Sequence, residues 1–239
     1  MKKQILWLVA FAFSLLITNA VANEGVKLDK APIDAGNEAS LQRGAKMFVN
    51  YCLNCHSAAY MRYNRLADIG LTEAQIKSNL LFASEKVGDT MTVAMQKKEA
   101  KQWFGATPPD LTVEARARGA DWLYSYLRGF YRDDTRPTGW NNVVYDKVAM
   151  PHVLWQLQGQ QILKLDEKTE SHTLVLDKPG SMSPAEYDEA VADLVNYLVF
   201  MAEPAKAKRM QLGLIVLLFL GLMFVVTYYL KKEYWKDIH

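Results

Sequence analysis

At 239 residues the chain has room for one domain of ordinary size plus accessory segments. Half of its residues are apolar, and 13 Gly with 8 Pro do not give the composition of a disordered chain. The net charge of +2 is unevenly spread: eight of the 28 basic residues but only two of the 26 acids lie in 1–22 and 206–239, so residues 23–205 carry 20 basic and 24 acidic side chains, a net of −4. A negative surface argues against nucleic acid as a partner and suits a basic protein.

The chain starts Met1-Lys2-Lys3, continues through an apolar run from Ile5 to Ile17, and reaches the small-x-small sequence Ala20-Val21-Ala22. This is the pattern of a secretory signal peptide, with cleavage after Ala22 and Asn23 as the mature N-terminus. The apolar run is too short to favour a membrane span. Residues 23–40, with Pro32 and Gly36, read as an extended lead-in.

A helix is predicted from about Ser40 to Asn54, with Leu41, Gly44, Phe48 and Tyr51 on one face. Gly44, lacking a side chain, can admit another helix closely. The helix delivers Cys52-Leu53-Asn54-Cys55-His56, which uses both cysteines of the protein. Two thiols three positions apart can each bond to a haem vinyl group, and the adjacent histidine then serves as proximal iron ligand. A thioredoxin-like pair would instead belong beside a strand of a βαβ unit. A structural zinc site would need a second half-site, and His152 and His172 are not spaced to supply one.

Residues 57–66 read as a loop wrapping the proximal side. Thr72 and Gln75 form a capping box for a helix reaching about Phe82. Residues 83–110 look irregular and end in Thr107-Pro108-Pro109-Asp110-Leu111, where consecutive prolines make a stiff apolar wall suited to a haem crevice. A short helix through Val113–Arg118 is stopped by Gly119, and Asp121 is placed to cap the next, through Trp122–Arg128, stopped by Gly129. Arg118 is the candidate for pairing with a haem propionate, because a guanidinium binds a carboxylate bidentately.

Residues 130–152 are rich in turn signals and lead to Ala149-Met150-Pro151-His152. The Met150 thioether would make a good sixth ligand, presented by a loop that Pro151 stiffens. Met47 shares the CxxCH helix and Met61 follows His56 too closely; Met91 and Met95 lie in a polar stretch, while Met182 and Met201 flank or sit on the last helix before the apolar run. His152 is the serious rival, His172 a weaker one, and spacing leaves the choice open. Residues 162–176 suggest a hairpin. Ser183-Pro184-Ala185-Glu186 then carries three helix-start signals, and Tyr187, Val191, Leu194, Val195 and Leu198 form the stripe predicted to cross the Gly44 helix.

After Lys206-Ala207-Lys208-Arg209, residues 210–230 run without a charge for long enough to cross a hydrocarbon core of roughly 30 Å. Tyr228, Tyr229, Tyr234 and Trp235 form an aromatic belt at one end. The predicted organisation is a signal peptide (1–22), an exported domain (23–205), a basic flank and anchor (206–230) and a cytoplasmic tail (231–239). The signal peptide, not the flanking charges, sets that orientation.

Taken together, the sequence resembles the cytochrome c1 family, haem subunits of quinol–cytochrome c reductase (bc1) complexes, in bacterial form. The resemblance rests on the order of Arg43-Gly44 before the CxxCH, His56-Ser57 after it, Pro108-Pro109-Asp110-Leu111, Arg116-Ala117-Arg118-Gly119, Ala149-Met150-Pro151 and Ala202-Glu203-Pro204 ahead of the terminal anchor. It implies an all-α, class I cytochrome c-like domain with long loops and one C-terminal transmembrane helix. It also implies one covalent haem c held by Cys52, Cys55, His56 and Met150, with Pro109 as crevice wall and Arg118 beside a propionate. The implied partners are cytochrome b, a Rieske iron–sulfur protein, a c-type cytochrome acceptor and membrane lipid, in a dimeric complex at the bacterial inner membrane with the haem domain in the periplasm. Trp122 stands where the family usually has tyrosine, and Tyr63-Asn64-Arg65-Leu66 reorders the family's usual loop. A membrane-anchored c-type shuttle or oxidase subunit outside bc1 is the alternative. An open-site haem enzyme would bind carbon monoxide readily, and a thiol oxidoreductase would carry no covalent haem. The net of −4 further suggests that acidic residues near the haem edge steer a basic acceptor.

Overall fold

The Asn37 side chain accepts a hydrogen bond from the Ser40 backbone amide and so starts the first helix, α1 (Glu38–Met47), two residues before the predicted position. The computed structural model describes residues 26–166 and 171–237, with all their side chains except those of 165, 166, 171, 172, 207 and 208. The predicted signal peptide lies outside the described residues. Beyond Met47 the helix widens into a π-helical turn, Phe48–Cys52, in which the Leu53 amide reaches back to the Phe48 carbonyl at 2.9 Å. The predicted helix is thus continuous but changes pitch just before the cysteines.

A 19-residue helix near the other end, α7 (Pro184–Ala202), crosses α1. Its start is the predicted capping box: Ser183 accepts from the Glu186 amide while Glu186 accepts from the Ser183 amide. All five residues of the predicted stripe are buried. A Cβ at Gly44 would lie 2.1 Å from the Asp193 carbonyl oxygen, so only glycine permits this approach. Arg43 closes the crossing through paired hydrogen bonds to Asp193, and Phe48 packs on Tyr197 with ring centroids 5.6 Å apart. Asn196 donates to the Asp34 carbonyl and Ser40 hydroxyl, pinning the lead-in to the same junction.

Between these helices the chain is more regular than predicted. Residues 57–66 include a strand, β1 (Ala58–Arg62), and begin a 3₁₀ helix (Tyr63–Ile69) rather than forming a plain loop. Helix α2 (Glu73–Asn79) has the Thr72–Gln75 capping box and ends at Leu80, slightly short of Phe82. The stretch read as irregular contains β2 (Thr90–Met91), paired antiparallel to β1, and helix α3 (Lys97–Phe104). Ala100 and Phe104, one turn apart, give α3 its inner face; its lysines obscured that pattern.

Helix α4 (Glu114–Arg118) stops at Gly119, whose φ of +91° turns the chain directly into α5 (Ala120–Arg128). Gly119, not Asp121, is the N-cap of α5. Asp121 sits inside the first turn and accepts a hydrogen bond from the Ala31 amide at 2.8 Å, so its carboxylate ties down the lead-in. Two antiparallel ribbons follow, β3 (Phe130–Arg132) with β4 (Trp140–Asn142) and β5 (Gly159–Asp166) with β6 (Ser171–Pro179), the second being the predicted hairpin. A one-turn helix, α6 (Trp155–Gln158), lies between them. The all-α class holds, with three two-stranded ribbons in its long connections. The last helix, α8 (Lys206–Tyr234), contains a candidate membrane span, Arg209–Tyr234, in which an 18-residue window has a mean hydropathy of 2.5 and is not buried by the other described residues.

Candidate functional site

A crevice of about 280 Å³ opens between the π-helical turn that follows α1, the end of α3 and the segment after it, α4, α5, α7 and the segment 145–153. All six sequence-nominated residues border it: Cys52, Cys55, His56, Pro109, Arg118 and Met150. The two cysteines and His56 enter where α1 ends, because the π-helical turn and the following bend release the chain there; the Cys55 and His56 amides both bond back to the Cys52 carbonyl. Leu123, Leu127, Leu194 and Leu198, from α5 and α7, line it with apolar surface.

His56 is fixed by its neighbour across the chain. Its Nδ1 lies 2.8 Å from the Pro109 carbonyl, and since a carbonyl only accepts, Nδ1 carries the proton and Nε2 keeps its lone pair for a metal. Burial lowers the pKa of His56, with the Pro109 carbonyl opposing that shift, which favours a neutral imidazole. Pro109 therefore supplies more than a wall. Its segment is itself stapled in place: Asp110 accepts from the Ala59 and Thr112 amides, and the Leu111 amide donates to the Ser57 carbonyl.

The two cysteines form no disulfide with each other, and burial pushes the Cys52 thiol up to about 12 and the Cys55 thiol above its ordinary value. A redox CxxC needs the reverse, a thiol whose pKa is depressed. Among the described residues no three His, Cys, Asp or Glu side chains converge as a metal-ion cluster.

The Met150 side is built from distant parts. Met150 is half-buried, and the Tyr126 hydroxyl donates to its Sδ at 3.4 Å. Tyr126 is stacked on Trp122 (4.8 Å, 11°) and set edge-on to Phe130 (5.2 Å). Two buried asparagines organise the loop leading to Met150. Asn142 donates to the Tyr126 carbonyl and accepts from the Val144 amide, while Asn141 donates to Asp146 and accepts from the Lys147 amide. Lys147, at φ +59°, is the single non-glycine residue with positive φ among the described residues.

His152, the rival ligand, does not border the crevice. It is 2% exposed, stacked on Phe130 (4.8 Å, 8°) and edge-on to Trp140 (5.0 Å), and burial holds its pKa down at about 4. It anchors the chain just after Met150. The side chain of His172 lies outside the described residues.

Arg118 pairs through Nε with Glu114 Oε2 at 3.0 Å, and its guanidinium carbon lies 4.5 Å above the Trp122 ring. Its two Nη atoms have no protein acceptor among the described residues, so that edge remains available to a carboxylate. Sequence reading overlooked Tyr126, Asp110, Asn141 and Asn142. The asparagines read only as turn formers, and the Asp-x-Thr signal at Asp110–Thr112 was the one clue to a side-chain-stapled turn.

The residues present fit a covalent haem: paired thiols beside an oriented imidazole, a thioether on the same crevice, apolar walls and one unsatisfied guanidinium edge. Comparison with known proteins points the same way. The model of the Cytochrome C1 family matches residues 29–238. The chain is 55% identical over 232 residues to a Nitrosomonas europaea protein named ammonia monooxygenase gamma subunit, covering 97% of both chains. It is 48% identical over 241 residues to cytochrome c1 of Allochromatium vinosum, covering 97% of this chain and 99% of that one. Identity to cytochrome c1 of Rhodospirillum rubrum is 30% over 270 residues, covering 97% and 96%.

Proposed function

The chain belongs to the cytochrome c1 family, and from that premise we propose that Cys52 and Cys55 would hold its haem c through thioether bonds and that His56 and Met150 would bind its iron. It is the electron-transfer subunit of quinol–cytochrome c reductase, carrying electrons from the Rieske protein through covalent haem c to a c-type cytochrome. It works in the bc1 assembly with cytochrome b and is anchored in the membrane by its C-terminal helix. The chain itself moves electrons; quinol chemistry belongs to its partner subunits. The observation that carries the ligand assignment is the shared crevice, bordered by His56 and Met150 but not by His152.

Haem supplies one-electron chemistry at its iron. The protein's own residues decide how readily. The Pro109 carbonyl fixes the plane and tautomer of His56, so the imidazole need not reorganise when charge changes. The Tyr126 hydroxyl draws electron density from Met150 Sδ, and the leucine walls exclude water; both favour the less charged, reduced state and raise the potential. Arg118, held between Glu114 and Trp122, presents its Nη edge to a propionate.

The finer arrangement belongs to the same proposal: a signal peptide over 1–22, a periplasmic domain over 23–205, an anchor over 206–230, a cytoplasmic tail over 231–239, and a dimeric complex at the inner membrane. Co-purification tests the assignment to bc1. A tagged chain expressed in its native membrane should bring down a cytochrome b and a Rieske protein with quinol-dependent cytochrome c reduction. Recovery with a membrane monooxygenase or alone, without that activity, would contradict it.

A further inference from the structure

The turn joining β3 to β4 does not border the crevice, yet it grips the loop that enters it. The turn is fixed locally: the Arg136 amide donates to the Asp133 carbonyl at 3.1 Å, and the Gly139 amide to the Arg136 carbonyl at 2.9 Å. From there the half-buried Arg136 reaches 11 positions along the chain, and its Nη2 donates to the Lys147 carbonyl at 3.0 Å. The amide of the same Lys147 donates to Asn141 Oδ1 at 2.9 Å. Asn141 is 4% exposed and is itself moored through its Nδ2, which donates to Asp133 Oδ2 at 3.1 Å and Asp146 Oδ1 at 2.9 Å. Side chains of the ribbon thus hold both backbone polar groups of Lys147, the residue whose φ is +59°. A residue bearing a Cβ disfavours that region, so Lys147 without its partners would relax to negative φ. Val148 follows in the core at 4% exposure, and Ala149 and Met150 then border the crevice. A rotation of the backbone at Lys147 redirects all three.

We infer that Arg136 and Asn141 are positioning residues for the sixth ligand: by gripping Lys147 from both sides they hold a disfavoured backbone conformation that keeps Met150 on the crevice. The inference rests on Met150 as the iron ligand and adds a control that touches neither the thioether nor the crevice wall. Tyr126 fixes the sulfur, whereas the clamp fixes where the chain delivers it. With the clamp broken, the seated and released states of the loop come closer in free energy. A small ligand that enters only when Met150 is away binds in proportion to the released fraction. A soft thioether suits ferric iron less well than ferrous, so the released fraction is largest in the oxidised protein.

The test titrates imidazole into the purified, oxidised complex and follows the haem c absorbance. Arg136→Ala deletes a hydrogen bond from a charged donor and should tighten imidazole binding by about tenfold to a hundredfold. Glycine adopts positive φ freely, so adding Lys147→Gly to Arg136→Ala should reverse about tenfold of that gain. Lys147→Gly alone should weaken imidazole binding severalfold. Hydrogen exchange read by mass spectrometry should quicken across 143–150 in Arg136→Ala while α1 and α7 keep their wild-type protection. An unchanged imidazole affinity in Arg136→Ala, no reversal by Lys147→Gly, or exchange quickened throughout the domain overturns the inference. If Arg136→Ala does not assemble, Lys147→Gly alone decides, and imidazole binding as tight as the wild type's or tighter overturns it. Met150→Leu separates the inference from the reading beneath it. Should Met150→Leu leave imidazole affinity unchanged, the ligand assignment fails and the clamp with it; should it tighten binding while Arg136→Ala does not, only the clamp fails.

Discussion

The two walls of the crevice are made in different ways. On the His56 side, three of the proposed haem-binding residues come from five consecutive positions at the end of the π-helical turn, and one carbonyl, that of Pro109, orients the imidazole. On the Met150 side, the one proposed ligand atom depends on α5, β3, β4 and a loop containing a positive-φ lysine. The first wall is local and bound to the helix crossing at Gly44. The second is assembled over long range by buried aromatic rings and two asparagines. Covalent attachment should therefore be decided by single residues, and distal ligation by packing some distance away.

The largest effect is expected on the local wall. Cys55→Ala removes one of two attachment points and leaves a strained, singly anchored group. Haem-stained denaturing gels should show most of the covalent haem lost, and retention at the wild-type level would break the contrast. Phe130→Ala attacks the long-range wall instead. Phe130 is 1% exposed and supports both Tyr126 and His152, so truncation should cost about 3–5 kcal/mol of stability. Covalent haem should survive while carbon monoxide gains access to the reduced iron. Thermal melting and carbon monoxide difference spectra measure the two consequences, and a destabilised variant that stays closed to carbon monoxide would show that the distal loop holds without its aromatic support.

A smaller effect sharpens the comparison further. Tyr126→Phe keeps the ring stack on Trp122 and deletes only the hydroxyl facing Met150 Sδ. The expected result is a potential lower by on the order of 20–60 mV, the electrical equivalent of about 0.5–1.5 kcal/mol for a single hydrogen bond. Redox titration measures it. An unchanged midpoint would mean that the hydroxyl positions Met150 without tuning it.

The same contrast explains what could be read from the sequence. Cys52–His56 could be nominated from spacing alone, and the structure places its two cysteines and its histidine on the crevice; α7 was legible because Ser183, Pro184 and Glu186 are local start signals. The crossing was legible in outline because Gly44 stands among larger residues on one face. The distal wall was not, since nothing local distinguishes Asn141 and Asn142 as loop organisers from ordinary turn residues, or His152 as a stacked core group from a ligand. Asp121 illustrates the limit: its position suited a cap, yet a distant amide, that of Ala31, claimed its carboxylate. Helix α3 was hidden by its own lysines, whose charge belongs to the outer face and says nothing of Ala100 and Phe104 beneath.

Met150→Leu tests the central assignment most directly. Leucine preserves the volume of the side chain and removes the sulfur, so the fold and the covalent haem should persist. The account predicts that the wild-type protein, reduced, ignores carbon monoxide, whereas the variant binds it fully and its potential drops by roughly 0.1–0.3 V, within the ~0.8 V range that axial ligands control. A variant with unaltered optical spectrum, potential and resistance to carbon monoxide would mean that another residue ligates the iron, and the distal wall described here would not be the haem's sixth-ligand side.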